Sequence, residues 1–192
     1  MLKYFIGLFC LSLATIANLS CAQTELLSTA PQISYKIISE RSHKTSLFTQ
    51  GLEVKNGSFY ESSGLYAKSQ IVTYPITEPE GTWAKMTAPF TQKQRIPDRY
   101  FAEGLTLLNN KLYVLTWQEG TVFVYDANNF SLIKNVNYKG EGWGLTNDGK
   151  HLIRSDGSNK LFFHNAESFS VEKKISVKYQ QEAIINLNEL EY

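Results

Sequence analysis

Short runs that alternate apolar and polar residues, each closed by a turn dipeptide, fill the chain from Phe48 onward. Residues 48–54 end at Asn56-Gly57, a strong two-residue hairpin signal because both central positions of a type I′ turn need positive φ. Further strands are expected at 58–62 and 69–74, and more weakly near 83–86, separated by Gly64 and by the stretch 75–81. A second set covers 101–108, 111–117, 121–125 and 132–138, with turns at Asn109-Asn110, Glu119-Gly120 and 126–129. A third covers 143–146, 151–154, 160–164 and 170–177, turning at Asn147-Asp148-Gly149 and Asp156-Gly157. A further unit opens at 185–190, and a short apolar strand is expected at 33–38, ahead of a polar loop at 40–45. No amphipathic helix of ten or more residues is legible after residue 22.

The units share a motif at their start. Phe48-Thr49-Gln50-Gly51-Leu52 is followed by Phe101-Ala102-Glu103-Gly104-Leu105 and then by Gly142-Trp143-Gly144-Leu145. The leucines Leu52, Leu105, Leu145 and Leu190 recur after 53, 40 and 45 positions. Four short strands per unit at this period are the mark of an all-β chain folded as a β-propeller. A β-sandwich also shows short strands and frequent turns, but its strands have no reason to repeat a Gly-Leu start at a blade period. About three and a half blades are counted, and residues 33–38 are expected to close the ring as the outer strand of a last blade. An unclosed ring would expose apolar blade faces.

Composition narrows the class only modestly. The 192 residues are 43% hydrophobic and 19% charged with net charge +1, enough for one sizeable core. The charge balance gives no electrostatic footing for nucleic acid or an anionic membrane. Residues 1–22 carry Lys3, an apolar run at 4–17 and a small-x-small site at Ser20-Cys21-Ala22, the layout of a signal peptide too short to span a bilayer. A lipoprotein signal is the alternative, with Cys21 lipidated, although Asn18 stands three positions before it where leucine is expected. Either way Cys10 leaves with the segment, and the exported domain, 23–192, has no disulfide to rely on. The protein is thus expected to be exported, periplasmic or secreted.

The starts of innermost propeller strands gather at one mouth, so Gln50, Glu103, Trp143 and the Asn188-Glu189 pair are expected there, with Trp117 beside them. A carboxyl against aromatic surface has its charged form disfavoured, which brings its pKa toward the range useful for proton transfer. The same spacing also fits aromatics that are blade core and a Glu103 that is a solvated loop carboxylate. The three histidines, His43, His151 and His164, lack metal-ligand spacing. No Gly-x-Ser-x-Gly elbow or phosphate loop is present. Asp148-Gly149 and Asp156-Gly157 are turn formers before they are calcium ligands, and Asn56-Gly57-Ser58 is both a hairpin turn and a glycosylation sequon.

Phe48-Thr49-Gln50-Gly51-Leu52 and Tyr60-Glu61-Ser62-Ser63-Gly64-Leu65-Tyr66 resemble the opening of the plant- and bacterial-type glutaminyl-peptide cyclotransferases. Phe101-Ala102-Glu103-Gly104-Leu105, Leu115-Thr116-Trp117, Glu141-Gly142-Trp143-Gly144-Leu145, Ser155-Asp156-Gly157-Ser158 and Leu187-Asn188-Glu189-Leu190-Glu191-Tyr192 are similar to later blocks of that family, in order. The resemblance runs from about Ser34 onward. It implies a five-bladed propeller that cyclises N-terminal glutamine of peptides or proteins to pyroglutamate, releasing ammonia without a metal or other cofactor. It assigns proton transfer to Glu103, pocket walls to Trp117 and Trp143, polar substrate contacts to Gln50 and Asn188, and flanking aromatic contacts to Phe48 and Phe101. The family carries a further pocket tryptophan and a lysine after the Asn-Glu-Leu-Glu-Tyr block. Without them, the expectation includes an alternative: an incomplete, catalytically impaired propeller that at most binds peptides. A monomer without a membrane span is expected.

Overall fold

A computed structural model describes residues 33–38, 40, 43–76 and 90–192, all within one unit, Ile33–Tyr192. The first sheet is an antiparallel meander of β1 (Thr49–Lys55), β2 (Ser58–Ser63), β3 (Gln70–Pro75) and β4 (Gln92–Arg95). The second repeats it with β5 (Ala102–Leu108), β6 (Lys111–Thr116), β7 (Thr121–Asp126) and β8 (Leu132–Asn137). The third contains β9 (Leu145–Asn147), β10 (His151–Arg154), β11 (Lys160–Asn165) and β12 (Val171–Ser176), and a two-stranded hairpin follows, β13 (Lys178–Tyr179) with β14 (Glu182–Ala183). Among the described residues there is no helix, and hence none able to cross a membrane. These sheets are propeller blades, with β1, β5 and β9 as neighbouring innermost strands.

The turns follow their residues. Asn56 and Gly57 have φ of 50° and 73°, and Asn109 and Asn110 have 50° and 59°, so both hairpins close with two left-handed residues.

The middle blade shows why its sequence is so apolar. Leu112 and Val114 of β6, with Phe123 and Tyr125 of β7, join the core shared with the first blade. The intervening Tyr113, Leu115, Val122 and Val124 face the third blade's Leu145, Leu152 and Phe169. The runs expected to alternate between core and solvent therefore alternate between two cores, both faces being covered. Within this blade β8, on the outer edge, is the strand that mixes half-buried and exposed residues.

Blade contact also explains the repeated Gly-Leu. A Cβ at Gly51 would lie 2.6 Å from the Leu105 amide nitrogen, and one at Gly104 2.6 Å from the Trp143 carbonyl oxygen. A Cβ at Gly144 would collide with the Asn188 carbonyl. Each innermost strand thus enters with its backbone against the next blade's backbone, where no side chain fits. The Gly104 amide donates across this seam to the Trp143 carbonyl at 2.7 Å.

Several expectations change. Residues 33–38 form no strand; Ile33, Tyr35 and Ile38 are about nine-tenths exposed, and no described strand offers them a partner. The expected strand near 83–86, with Trp83, lies outside the described residues. The fourth strand of the first blade is instead Gln92–Arg95, a polar edge strand with no apolar alternation to announce it. Residues 185–190 are not a strand, whereas 178–183 form the small hairpin. Phe48, Phe101, Trp117 and Trp143 sit just outside the strands they were expected to begin or end.

Candidate active site

The site begins at two β-bulges. In the first blade Thr49 faces Ser63 while Gly51 faces Ser62, leaving Gln50 as the extra residue. In the second, Ala102 faces Thr116 and Leu105 faces Val114, so Glu103 and Gly104 together oppose Leu115 alone. A bulge bends its strand and re-aims a side chain that regular pairing would bury in the blade. Gln50 and Glu103 are re-aimed in the same way, and the Gln50 amide acts on the Glu103 carboxyl, favouring its ionised form.

Glu103 is only 5% exposed, and its Oε2 has no hydrogen-bond partner among the described residues. A buried carboxylate left in this state is disfavoured as an anion. Burial pushes the Glu103 carboxyl up to about 8; the Gln50 contact opposes this, and the charges of Glu189, Glu119 and Glu141 add to it. Glu103 is therefore mostly protonated at neutral pH, with the ionised form within easy reach. The solvated-loop alternative is excluded by this burial.

The first blade holds the Glu103 backbone. Ser62 Oγ donates to the Glu103 carbonyl at 2.5 Å, and Ser155 Oγ donates to the Asn188 carbonyl at 2.9 Å one blade later. Ser62 lies on β2 and Ser155 directly follows β10, so in each case a hydroxyl at the second strand of a blade holds a backbone carbonyl that packs against that blade's inner edge.

Aromatic rings gather around Phe101, two residues before Glu103. Phe101 meets Phe48 edge-on at 6.2 Å, Tyr66 at 5.5 Å and Trp117 at 5.7 Å. Phe48 is half exposed, as an open wall residue would be. Trp143 lies against Gly157, where a Cβ would come within 2.8 Å of three atoms of the indole and where φ is +77°. Glu141 joins the two tryptophans: its Oε2 accepts from Trp117 Nε1 at 2.8 Å and from Trp143 Nε1 at 2.9 Å.

Phe48, Phe101 and Trp117 are thus linked ring to ring, Gln50 acts on Glu103, and Trp143 joins Trp117 through Glu141. Asn188 is brought to the inner edge through its backbone, beside Gly144; its side chain is exposed. Glu141, Tyr66 and Glu119 were not singled out from the sequence. Tyr66 Oη donates to Glu119 Oε1 at 2.8 Å, and Glu119 Oε2 accepts from the Phe101 amide at 3.4 Å, bracing the same ring. A carboxylate two residues before a pocket indole, as in Glu141-Gly142-Trp143, is the signal that could have revealed the first.

A buried carboxyl in an inner-strand bulge, with the Gln50 amide acting on it and a row of aromatic rings starting two residues away at Phe101, is an arrangement suited to proton transfer. The family model described as glutamine cyclotransferase matches residues 9–192, and the chain belongs to that family. It is 35% identical over 159 residues to a glutaminyl-peptide cyclotransferase of Arabidopsis thaliana, a match covering 82% of this chain and 47% of the relative. The crystal structure of Myxococcus xanthus glutaminyl cyclase superimposes with a TM-score of 0.69 at 32% identity, covering 80% of this chain and 61% of that one. The WD40 repeats of RRP9 match with a TM-score of 0.51 at 10% identity, a likeness of fold alone. The chain spans about half the length of the curated relative it matches.

Proposed function

We propose that this protein is a glutaminyl-peptide cyclotransferase, converting N-terminal glutamine of peptides or proteins to pyroglutamate with release of ammonia. The observation that carries this reading is Glu103, buried in a bulge with one carboxyl oxygen unpartnered, beside Gln50 and the aromatic row. The α-amine of the substrate attacks its own side-chain carboxamide carbon, forming the ring C–N bond. The C–N bond to the amide nitrogen then breaks, and that nitrogen leaves as ammonia. One proton must leave the amine and one must reach the departing nitrogen, so a single carboxyl serves both steps. An α-amino group titrates near pH 8, and Glu103 is raised to about 8, so the proton passes between nearly matched partners.

The aromatic groups do the rest. Nucleophile and electrophile belong to one residue, so catalysis depends on holding that residue curled, a proximity effect. Trp117 and Trp143 are the walls, Phe48 and Phe101 the flanking surfaces, and Gln50 and Asn188 the polar contacts to the substrate amide and amine. The reaction is an intramolecular acyl transfer. We further propose that it needs no metal, because proton movement and folding of the substrate account for the chemistry; activity should then survive chelation with EDTA. Residues 1–22 are proposed to export the protein to the periplasm or medium, with Cys21 as the lipid-anchor alternative, and the exported protein to act as a monomer. Mass spectrometry of the mature N-terminus and analytical ultracentrifugation test those points.

The deciding experiment is ammonia release from a glutaminyl dipeptide by this chain, compared with Glu103→Gln. Release that vanishes in the variant supports the reading. A folded protein that binds the dipeptide without release overturns it in favour of a peptide-binding module.

A further inference from the structure

Glu141 lies in the loop between the second and third blades, with its backbone clamped from several sides. The Arg154 guanidinium, 2% exposed, donates through Nη1 to the Glu141 carbonyl. That guanidinium is held between the rings of Tyr138, 4.9 Å away, and Phe162, 4.4 Å away, and its Nε donates to His164 at 3.2 Å. The next residue, Gly142, donates its amide to the Trp117 carbonyl at 2.8 Å, and a Cβ there would strike the Tyr138 hydroxyl. The Tyr138 hydroxyl in turn donates to the Thr116 carbonyl at 2.7 Å. The loop therefore delivers the Glu141 carboxylate to one place between the two indoles.

An indole offers one N–H donor and no acceptor, so where that donor points sets where the ring edge lies. Trp117 and Trp143 come from different blades, 26 positions apart, yet aim at the same oxygen. Gln118 Nε2 occupies the other carboxylate oxygen at 3.3 Å. With both edges tied to one acceptor, the indole faces keep a constant spacing. We propose that Glu141 is a positioning residue: by accepting both indole N–H groups it sets the distance between the two walls that hold the substrate's side chain curled. This rests on the cyclotransferase reading for its catalytic consequence, while the tie between the indoles stands on geometry alone.

The test uses residues 1–192 with Trp83→Phe throughout, so that fluorescence reports Trp117 and Trp143 only. Glu141→Ala removes the acceptor, Glu141→Met removes it while keeping the side-chain length, and Glu141→Gln keeps an amide oxygen able to accept. The Ala and Met variants should show a red-shifted emission maximum and stronger acrylamide quenching. Their KM for a glutaminyl dipeptide should rise roughly tenfold, with a smaller change in kcat, as loss of charge-assisted bonds that orient binding groups predicts. Glu141→Gln should keep the emission and quenching and hold KM within roughly threefold of the parent. Unchanged emission and quenching in Ala and Met would overturn the proposal, and so would a Gln variant as impaired as Ala. Should Glu141→Ala fail to fold by near-UV circular dichroism, Met and Gln decide between them. A parent chain that releases no ammonia would sink the cyclotransferase reading, and the fluorescence series would still decide whether Glu141 ties the indoles.

Discussion

Gln50 and Glu103 occupy equivalent bulges in successive blades, and the side-chain amide of the first meets the carboxyl of the second. Fifty-three positions separate them in sequence. The same strand irregularity, repeated by the blade architecture, aims one side chain from each blade at a common point. The amide favours the ionised form, while burial and three neighbouring carboxylates favour the neutral one, and burial dominates.

Replacing Glu103 by Gln should leave the fold intact and lower kcat by roughly two to four orders of magnitude, the usual contribution of a positioned acid/base group. Ammonia release in a coupled assay checks this. A variant retaining its rate would remove Glu103 from the chemistry.

The Gln50 contact should be visible in the pH profile. It lowers the Glu103 pKa, so Gln50→Leu should move the acidic limb of kcat/KM above its parental position near pH 8. The substrate amine titrates in the same region but is common to both enzymes, so the difference between profiles isolates Glu103. Coincident limbs would show that the contact does not tune the carboxyl.

The same shift has a consequence for stability. The Glu103 pKa stands near 4.5 unfolded and about 8 folded. Below pH 4.5 both states are protonated and the group adds nothing unfavourable. Between pH 4.5 and 8 the unfolded state ionises first, and stability is lost until the folded carboxyl also ionises. The total is up to about 5 kcal/mol by linkage. Glu103→Gln escapes this loss, so its Tm advantage over the parent should grow by several degrees from pH 5 to pH 8 and then level off. Calorimetry across that range measures it, and a constant difference would contradict the shift.

Gly157 supports Trp143 from beneath at φ +77°, with no room for a Cβ against the indole. Gly157→Ala should therefore cost about 1 kcal/mol or more in backbone strain and displace the ring, raising KM more than it lowers kcat. Trp143→Ala should raise KM in the same direction. Urea unfolding combined with steady-state kinetics separates the two effects of the glycine substitution.

Ser62 tests whether one blade positions the carboxyl, proposed as the acid/base, of the next. Its hydroxyl donates to the Glu103 carbonyl inside the blade seam. Ser62→Ala removes a buried donor to that carbonyl, at about 1 kcal/mol of stability. A kcat reduced by more than the Tm change accounts for, measured well below the melting range, would show the bond also orients the carboxyl.

Much of the architecture is local and was readable in the chain. Asn56-Gly57 and Asn109-Asn110 demand left-handed backbone wherever they lie, so their hairpins follow from residue type. The recurring Gly-Leu starts gave the blade period, because a glycine pressed on a neighbouring backbone cannot be replaced without a clash. Residues 33–38 have equally good strand chemistry, but a strand exists only where a partner completes its hydrogen bonds. The polar β4 is the converse: it pairs with β3 although its own pattern announces nothing. At the site, the motif spacing marked Gln50, Glu103, Trp117 and Trp143 as members of one mouth. What waited for the tertiary structure was their relation. The bulges depend on the register of partner strands, the raised carboxyl pKa on burial by neighbouring blades, and the Glu141 tie on two N–H groups from different blades converging on one oxygen. Each of these is a property of atoms distant in sequence, which residue type and spacing along one chain do not encode.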